Sequence, residues 1–199
     1  GKAIALFHNA SSLLTIKREN NLNTHNLKKL IQKIEEISDK IDEDSLNFIK
    51  GEYKFLVKNI PHDLPQGIIH ADLFPDNVFF HNNNLSGIID FYFSCNDSYI
   101  YEIAICMNAW CFEQNNNEFN ISKAKALLSS YNQVKPLSKN EIEYLPTLAR
   151  AAALRFLLTR TIDFYQNTEN LMVTKKNPKE YFEKLKFHQS VLKSSEYGL

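Results

Sequence analysis

The chain has 199 residues, 44% of them hydrophobic, enough for one well-packed domain or a large lobe of a bigger protein. Lys plus Arg equals Asp plus Glu at 23 each, so the formal net charge is zero and the basic footprint of a nucleic-acid binder is missing. No apolar run is long enough to span a membrane, because Arg155 interrupts the best candidate, Ala151 to Leu158.

The chain opens on Gly1-Lys-Ala-Ile-Ala-Leu-Phe-His8, which reads as the inside of a helix. It has neither an initiator Met nor the basic and apolar regions of a signal peptide, so it is expected to be a piece of a longer protein. Thr24 is placed to cap a helix whose apolar positions Leu27, Leu30, Ile31, Ile34 and Ile37 recur at three and four. A second helix is predicted from about Glu43 to Lys58, and Pro61 and Pro65 then break the pattern.

The next stretch differs in kind. Gly67-Ile68-Ile69 is a short apolar run ending at His70. Val78-Phe79-Phe80 and Gly87-Ile88-Ile89 flank Asn82-Asn83-Asn84, whose residues suit a tight turn, so a small β hairpin is predicted. Asp97 or Ser98 can cap the following helix, which runs through Met107 and Trp110 to about Phe112. Glu113 to Asn120 reads as a loop. Further helices are predicted over about 122–134, 140–166 and 178–193, with Pro146 marking a start or a kink and a polar bridge near Asn167 to Asn177. The three cysteines, Cys95, Cys106 and Cys111, show no C-x-x-C spacing, which fits neither a disulfide framework nor a zinc set and points to a reducing, cytoplasmic compartment.

The chemistry-bearing segment is His70-Ala71-Asp72-Leu73-Phe74-Pro75-Asp76-Asn77, followed thirteen residues after Asn77 by Asp90 in Ile88-Ile89-Asp90-Phe91. Phosphoryl transfer needs a group that orients the attacking hydroxyl and hard oxygen ligands for Mg2+. An H-x-D-x-x-x-x-N loop offers a carboxylate and an amide oxygen, and an aspartate after the next strand offers a second carboxylate. Folding back through the hairpin would bring Asn77 and Asp90 together.

This text resembles the protein-kinase-like fold, in the branch of aminoglycoside phosphotransferases and choline kinases, and within it the bacterial homoserine kinases. The residues that carry the resemblance run from Gly67 through Phe80, from Ser86 through Asp97, from Asn108 through Glu113 and from Leu148 through Arg160. It implies a mainly α fold with a small β hairpin, the C-terminal lobe of a kinase-like α+β architecture, as one unit over 1–199. That unit would comprise a helical subregion 1–60, a catalytic loop and hairpin 64–97, and a helical region 98–199. The resemblance makes Asp72 the catalytic base or hydroxyl-orienting carboxylate, with Asn77 and Asp90 holding Mg2+ on the phosphates of ATP. His70 is expected to brace the loop, and Asp97 and Glu102 to cap and support it. Asp76, beside Pro75, fits a turn role.

Arg155 lies on an apolar helix stripe and needs an anionic partner, either inside the protein or the carboxylate of an amino-acid substrate such as L-homoserine. Trp110 is either core or pocket lining. Arg150 and Arg160 read as solvated. A Gly-rich loop and a strand lysine, expected on an N-terminal sheet lobe, are missing, so this segment alone should be nearly inactive. The expected reaction is ATP-dependent phosphorylation of L-homoserine on the way to threonine. Two alternatives are an aminoglycoside or choline acceptor and a non-catalytic orphan lobe.

Overall fold

A computed structural model describes residues 1–166 and 176–199, so most of the expected 167–177 bridge lies outside the described residues. The helices are α1 (Lys2–Ser11), α2 (Leu27–Glu35), α3 (Glu43–Asn59), α4 (Tyr99–Trp110), α5 (Ile121–Asn132), α6 (Lys139–Gln166) and α7 (Lys179–Ser190). The strands are β1 (Gln66–Ile69), β2 (Val78–His81), β3 (Asn84–Ile88) and β4 (Cys95–Ser98). The chain is therefore mainly α, as its periodicity predicts.

At the centre is α4, buried at every position from Tyr99 to Asn108. Its apolar character all round marks a helix with no solvent face. Packed against it is α6, which buries Leu145, Leu148, Ala152, Leu154, Phe156 and Leu158. Asn108 ties the two together, its Nδ2 donating to the carbonyls of Ala104 and Ala149 at 3.0 and 3.1 Å. α7 docks on α6 and sends buried Lys184 to the Asn108 carbonyl at 2.8 Å.

Pro146 neither starts nor ends its helix. A proline has no N–H to offer the carbonyl four residues earlier. That carbonyl, on Ile142, accepts instead from the Ser194 hydroxyl in the C-terminal segment.

The hairpin forms where the asparagines suggest it. β2 pairs antiparallel with β3, and Asn82 and Asn83 take φ values of 47° and 60°. Two successive left-handed residues make a turn whose twist suits a hairpin, and asparagine tolerates that region better than most residues.

Several details depart from the sequence reading. A second two-stranded sheet joins β1 to β4, in antiparallel register from Gln66↔Ser98 to Ile69↔Cys95. Cys95-Asn-Asp-Ser98 carries no alternating apolar pattern, and its extended form comes from pairing with β1. α2 starts at Leu27 with Asn26 at its N-cap and no side-chain cap, so Thr24 does not cap it. Ser98 stands at the N-cap of α4, as expected, but its side chain accepts no capping hydrogen bond. Arg150 and Arg160 are not solvated. Arg150 donates from Nε and Nη2 to both carboxylate oxygens of Glu52 at 2.7 Å, and that carboxylate is 1% exposed. Arg160 pairs with Glu180 at 2.5 Å.

One buried charge positions the site directly. Glu102 of α4 is fully buried, and its carboxylate accepts from the backbone N–H groups of His70 and Ala71, the latter at 3.1 Å. Burial pushes its pKa from 4.5 up to about 7, against the opposing pull of those two amides and of Arg155. The folded chain thus holds this proton more tightly than the unfolded chain does. The stabilisation is complete below the ordinary carboxyl range and is lost as pH rises through about 7. Denaturant unfolding at a series of pH values should show wild type losing roughly 3 kcal/mol relative to Glu102→Gln between pH 4 and pH 8. A pH-independent difference would remove Glu102 from the pH response.

Candidate active site

The loop that follows β1 makes an abrupt turn at Ala71, whose φ is +64°. A left-handed alanine costs about 1–2 kcal/mol and needs its surroundings to hold it. Both of its backbone polar groups are gripped by buried charged side chains. Glu102 takes the N–H, and Arg155 donates from Nη1 to the carbonyl at 2.6 Å. Asp72 comes next, directed by that turn.

His70 links the loop to the hairpin. Its Nε2 donates to the Ile89 carbonyl at 2.8 Å, and its Nδ1 accepts from the Asp72 N–H at 3.3 Å. These two partners specify the Nε2–H tautomer. The Phe91 ring lies 4.7 Å from the imidazole. Asn77 ends the short helical turn Pro75–Asn77 and folds back, its Nδ2 donating to the Asp72 carbonyl at 2.8 Å. Its own carbonyl accepts from the Ile89 N–H at 3.0 Å. The residue before Asp90 is therefore bonded to both His70 and Asn77. Asp90 itself is exposed and left-handed at φ +61°, and among the described residues its carboxylate receives only a long 3.4 Å hydrogen bond from the Tyr92 N–H.

Electrostatics separate the two aspartates. Burial raises the Asp72 pKa, Arg155 and His70 oppose that shift, and the nearby Asp90 charge adds to it. A partly desolvated carboxylate of raised basicity suits proton acceptance from a hydroxyl. The open oxygens of Asp90 suit a cation.

The other candidates fall into place around this unit. Arg155 is 2% exposed, no carboxylate lies within ion-pair distance of it among the described residues, and its guanidinium donates to the Ala71 carbonyl. Trp110 donates from Nε1 to the Leu73 carbonyl at 2.8 Å. It props the loop from below while lining a cavity of about 930 Å3 between α1, the hairpin and α5. Asp97 is held apart from the loop, accepting from Asn20 Nδ2 and from the Ser98 N–H, both at 2.6 Å. Asp76 lies in the Pro75–Asn77 turn, with Lys176 at 3.5 Å.

The sequence reading passed over residues 18–22. The Arg18 carbonyl accepts from the Asn96 N–H and its own N–H donates to Asn96 Oδ1, both at 2.7 Å, and Glu19 bridges to Asn96 in parallel. Asn20, buried behind them, is the residue that meets Asp97. A polar run without periodicity reads as a solvated loop, so only the tertiary pairing reveals it.

Known proteins resemble this arrangement. Over all 199 residues the chain is 50% identical to homoserine kinase of Rhizobium rhizogenes and 48% identical to that of Agrobacterium fabrum. It spans 62% of the length of each. Among solved structures it resembles a choline/ethanolamine kinase family protein from Mesorhizobium loti, with TM-score 0.66, 12% identity, and coverage of 99% of this chain and 62% of that one. An amicoumacin kinase in complex with AMP-PNP and Ca2+ gives TM-score 0.62 at 13% identity, covering 94% and 55%. At such identities these structures speak for the fold alone. Residues 3–137, which include the Asp72 loop, the hairpin and Asp90, match the sequence model of the phosphotransferase enzyme family, and the chain belongs to that family.

Proposed function

We propose that the protein to which this chain belongs transfers the γ-phosphate of ATP to the side-chain hydroxyl of L-homoserine, giving O-phospho-L-homoserine, a step toward threonine. The observation that carries this reading is the 50% identity to a homoserine kinase sustained over all 199 residues. Asp72, Asn77 and Asp90, bonded into one loop-and-hairpin unit, support it. Nothing comparable favours a choline or aminoglycoside acceptor, and a chain kept only for binding would have no need of all three residues.

The residues fit a hard divalent cation. Asn77 commits its Nδ2 to the Asp72 carbonyl, which turns its Oδ1 toward the remaining space, and Asp90 has two lightly used oxygens. Among the described residues no cluster of three or more His, Cys, Asp or Glu side chains forms a closed metal cage. Mg2+ takes one or two protein oxygens and completes its shell with phosphate and water, so the Asn77 and Asp90 oxygens would suffice to hold it. When bound there, Mg2+ would neutralise charge on the phosphate oxygens.

The chain's own residues do the rest. Asp72 accepts a hydrogen bond from the acceptor hydroxyl, aligns its oxygen for in-line attack and receives the proton as the new P–O bond forms and the bond from the γ-phosphorus to the bridging oxygen breaks, releasing ADP. His70 and Asn77 fix the backbone of Asp72, and Glu102 and Arg155 fix the turn before it. The buried, unpaired Cys95, Cys106 and Cys111 accord with a cytoplasmic setting. Among the described residues no helix is long and apolar enough to cross a membrane.

Three outcomes test this reading. In the full-length protein, Asp72→Asn should lower kcat by about 10^2–10^4-fold with little change in KM, measured as homoserine-dependent ADP release. Wild-type turnover in that variant would strip Asp72 of its role. Asp90→Asn should raise the Mg2+ concentration for half-maximal rate by about 10–100-fold, and an unshifted Mg2+ titration would place the metal elsewhere. The 199-residue segment alone, with Asp90 and the Phe79 and Tyr92 rings open to water, should turn over poorly in the same assay, and full activity there would contradict the need for a water-excluding cover.

A further inference from the structure

Arg155 is unusual among the buried charges. Glu52 and Lys184 each meet an opposite charge, and Glu102 meets two amides and titrates. Among the described residues Arg155 has no carboxylate within ion-pair distance and no full set of acceptors. One of its five donors goes to the Ala71 carbonyl, the Tyr101 side chain is in reach as a second acceptor, and its Nε has no partner among the described residues. The Phe156 and Phe93 rings, 4.6 and 5.5 Å from its guanidinium carbon, offset part of the desolvation cost. A guanidinium left in this state is a receptor for an anion.

Arg155 lines a cavity of about 230 Å3 whose walls include Arg18, Glu19, Asn20, Tyr92 and Phe93. Its location is informative. Arg155 touches the residue before Asp72, and Tyr92 and Phe93 follow shortly after Asp90. Arg18 has its backbone fixed on both sides by Asn96, while its guanidinium lies exposed, 5.8 Å from the Tyr92 ring centre. No carboxylate pairs with Arg18 among the described residues.

We propose that Arg18 and Arg155 form the subsite for the α-carboxylate of the amino-acid acceptor, with Glu19 in the same wall for its ammonium group. This rests on the homoserine reading and supplies what that reading lacks, a basis for choosing an amino acid over other alcohols. Guanidinium and carboxylate match as paired donors and acceptors. A lining with two guanidinium groups and one carboxylate suits a zwitterion, and it repels polycationic or quaternary-ammonium alcohols that share the same reactive hydroxyl. With the head group held in this cavity, the short side chain of the acceptor carries its hydroxyl toward Asp72.

Arg18→Gln is the informative variant. Arg155 also holds the Ala71 carbonyl, so its loss would disturb Asp72 as well. The Arg18 hydrogen bonds to Asn96 are backbone bonds and survive the change. With full-length protein, Arg18→Gln should raise KM for L-homoserine by about 10–100-fold, the range for losing charge-assisted hydrogen bonds, with KM for ATP and the melting temperature unchanged. Arg18→Lys should recover part of the loss. If wild type phosphorylates L-homoserine and Arg18→Gln keeps the same KM, the subsite is wrong and the acceptor assignment stands. If wild type ignores L-homoserine and uses a cationic alcohol, both fall together.

Discussion

The structure depends on the grip that two buried charges exert on one small residue. Ala71 must turn left-handed to bring Asp72 out of the end of β1, a conformation alanine does not choose. Glu102 holds its N–H from α4, and Arg155 holds its carbonyl from α6. These are the two helices that form the core, so the direction of Asp72 is set by the packing of the whole lobe. A buried carboxylate and a buried guanidinium are expensive components. Here they convert helix packing into the aim of one side chain.

The cost of that arrangement is visible in the groups themselves. Glu102 holds a proton up to about pH 7 because burial outweighs its two amide donors and Arg155. Arg155 keeps an unpartnered Nε. Both therefore remain incompletely compensated. Elsewhere the lobe does better: Glu52 takes a bidentate Arg150 and a further bond from Gln189 at 2.6 Å, and Lys184 bridges a carbonyl and a carboxylate. Glu102 and Arg155 both lie against the turn that precedes Asp72, although burial also outweighs the partners of Lys184, away from it.

Much of this was legible in the sequence, for local reasons. The hairpin followed from asparagines that tolerate left-handed turns, the helices from apolar spacing, and the motif from Asp72, Asn77 and Asp90 at fixed intervals in one contiguous stretch. What escaped was long-range. β4 is a strand only because β1 lies beside it, and Arg150 is an internal ion-pair member only because Glu52, on α3, reaches it. Arg155 was recognisable as out of place on an apolar stripe. Its actual partner, a backbone carbonyl, is a group that every residue carries and that spacing cannot single out.

The segment 18–22 shows how such blindness bears on function. In sequence it is a polar connection between two helices. In space it runs along β4, with Asn20 bonded to Asp97 and the Arg18 backbone bonded to Asn96. β4 is paired with β1, and β1 leads directly into His70 and Asp72. Arg18 is thus fixed at its backbone by the same small sheet that launches the Asp72 loop, while its side chain is exposed. A fixed backbone sets where the exposed charge is offered. In such a design Arg155 would serve both chemistry and specificity, while Arg18 adds specificity from a connection that can vary without disturbing Asp72.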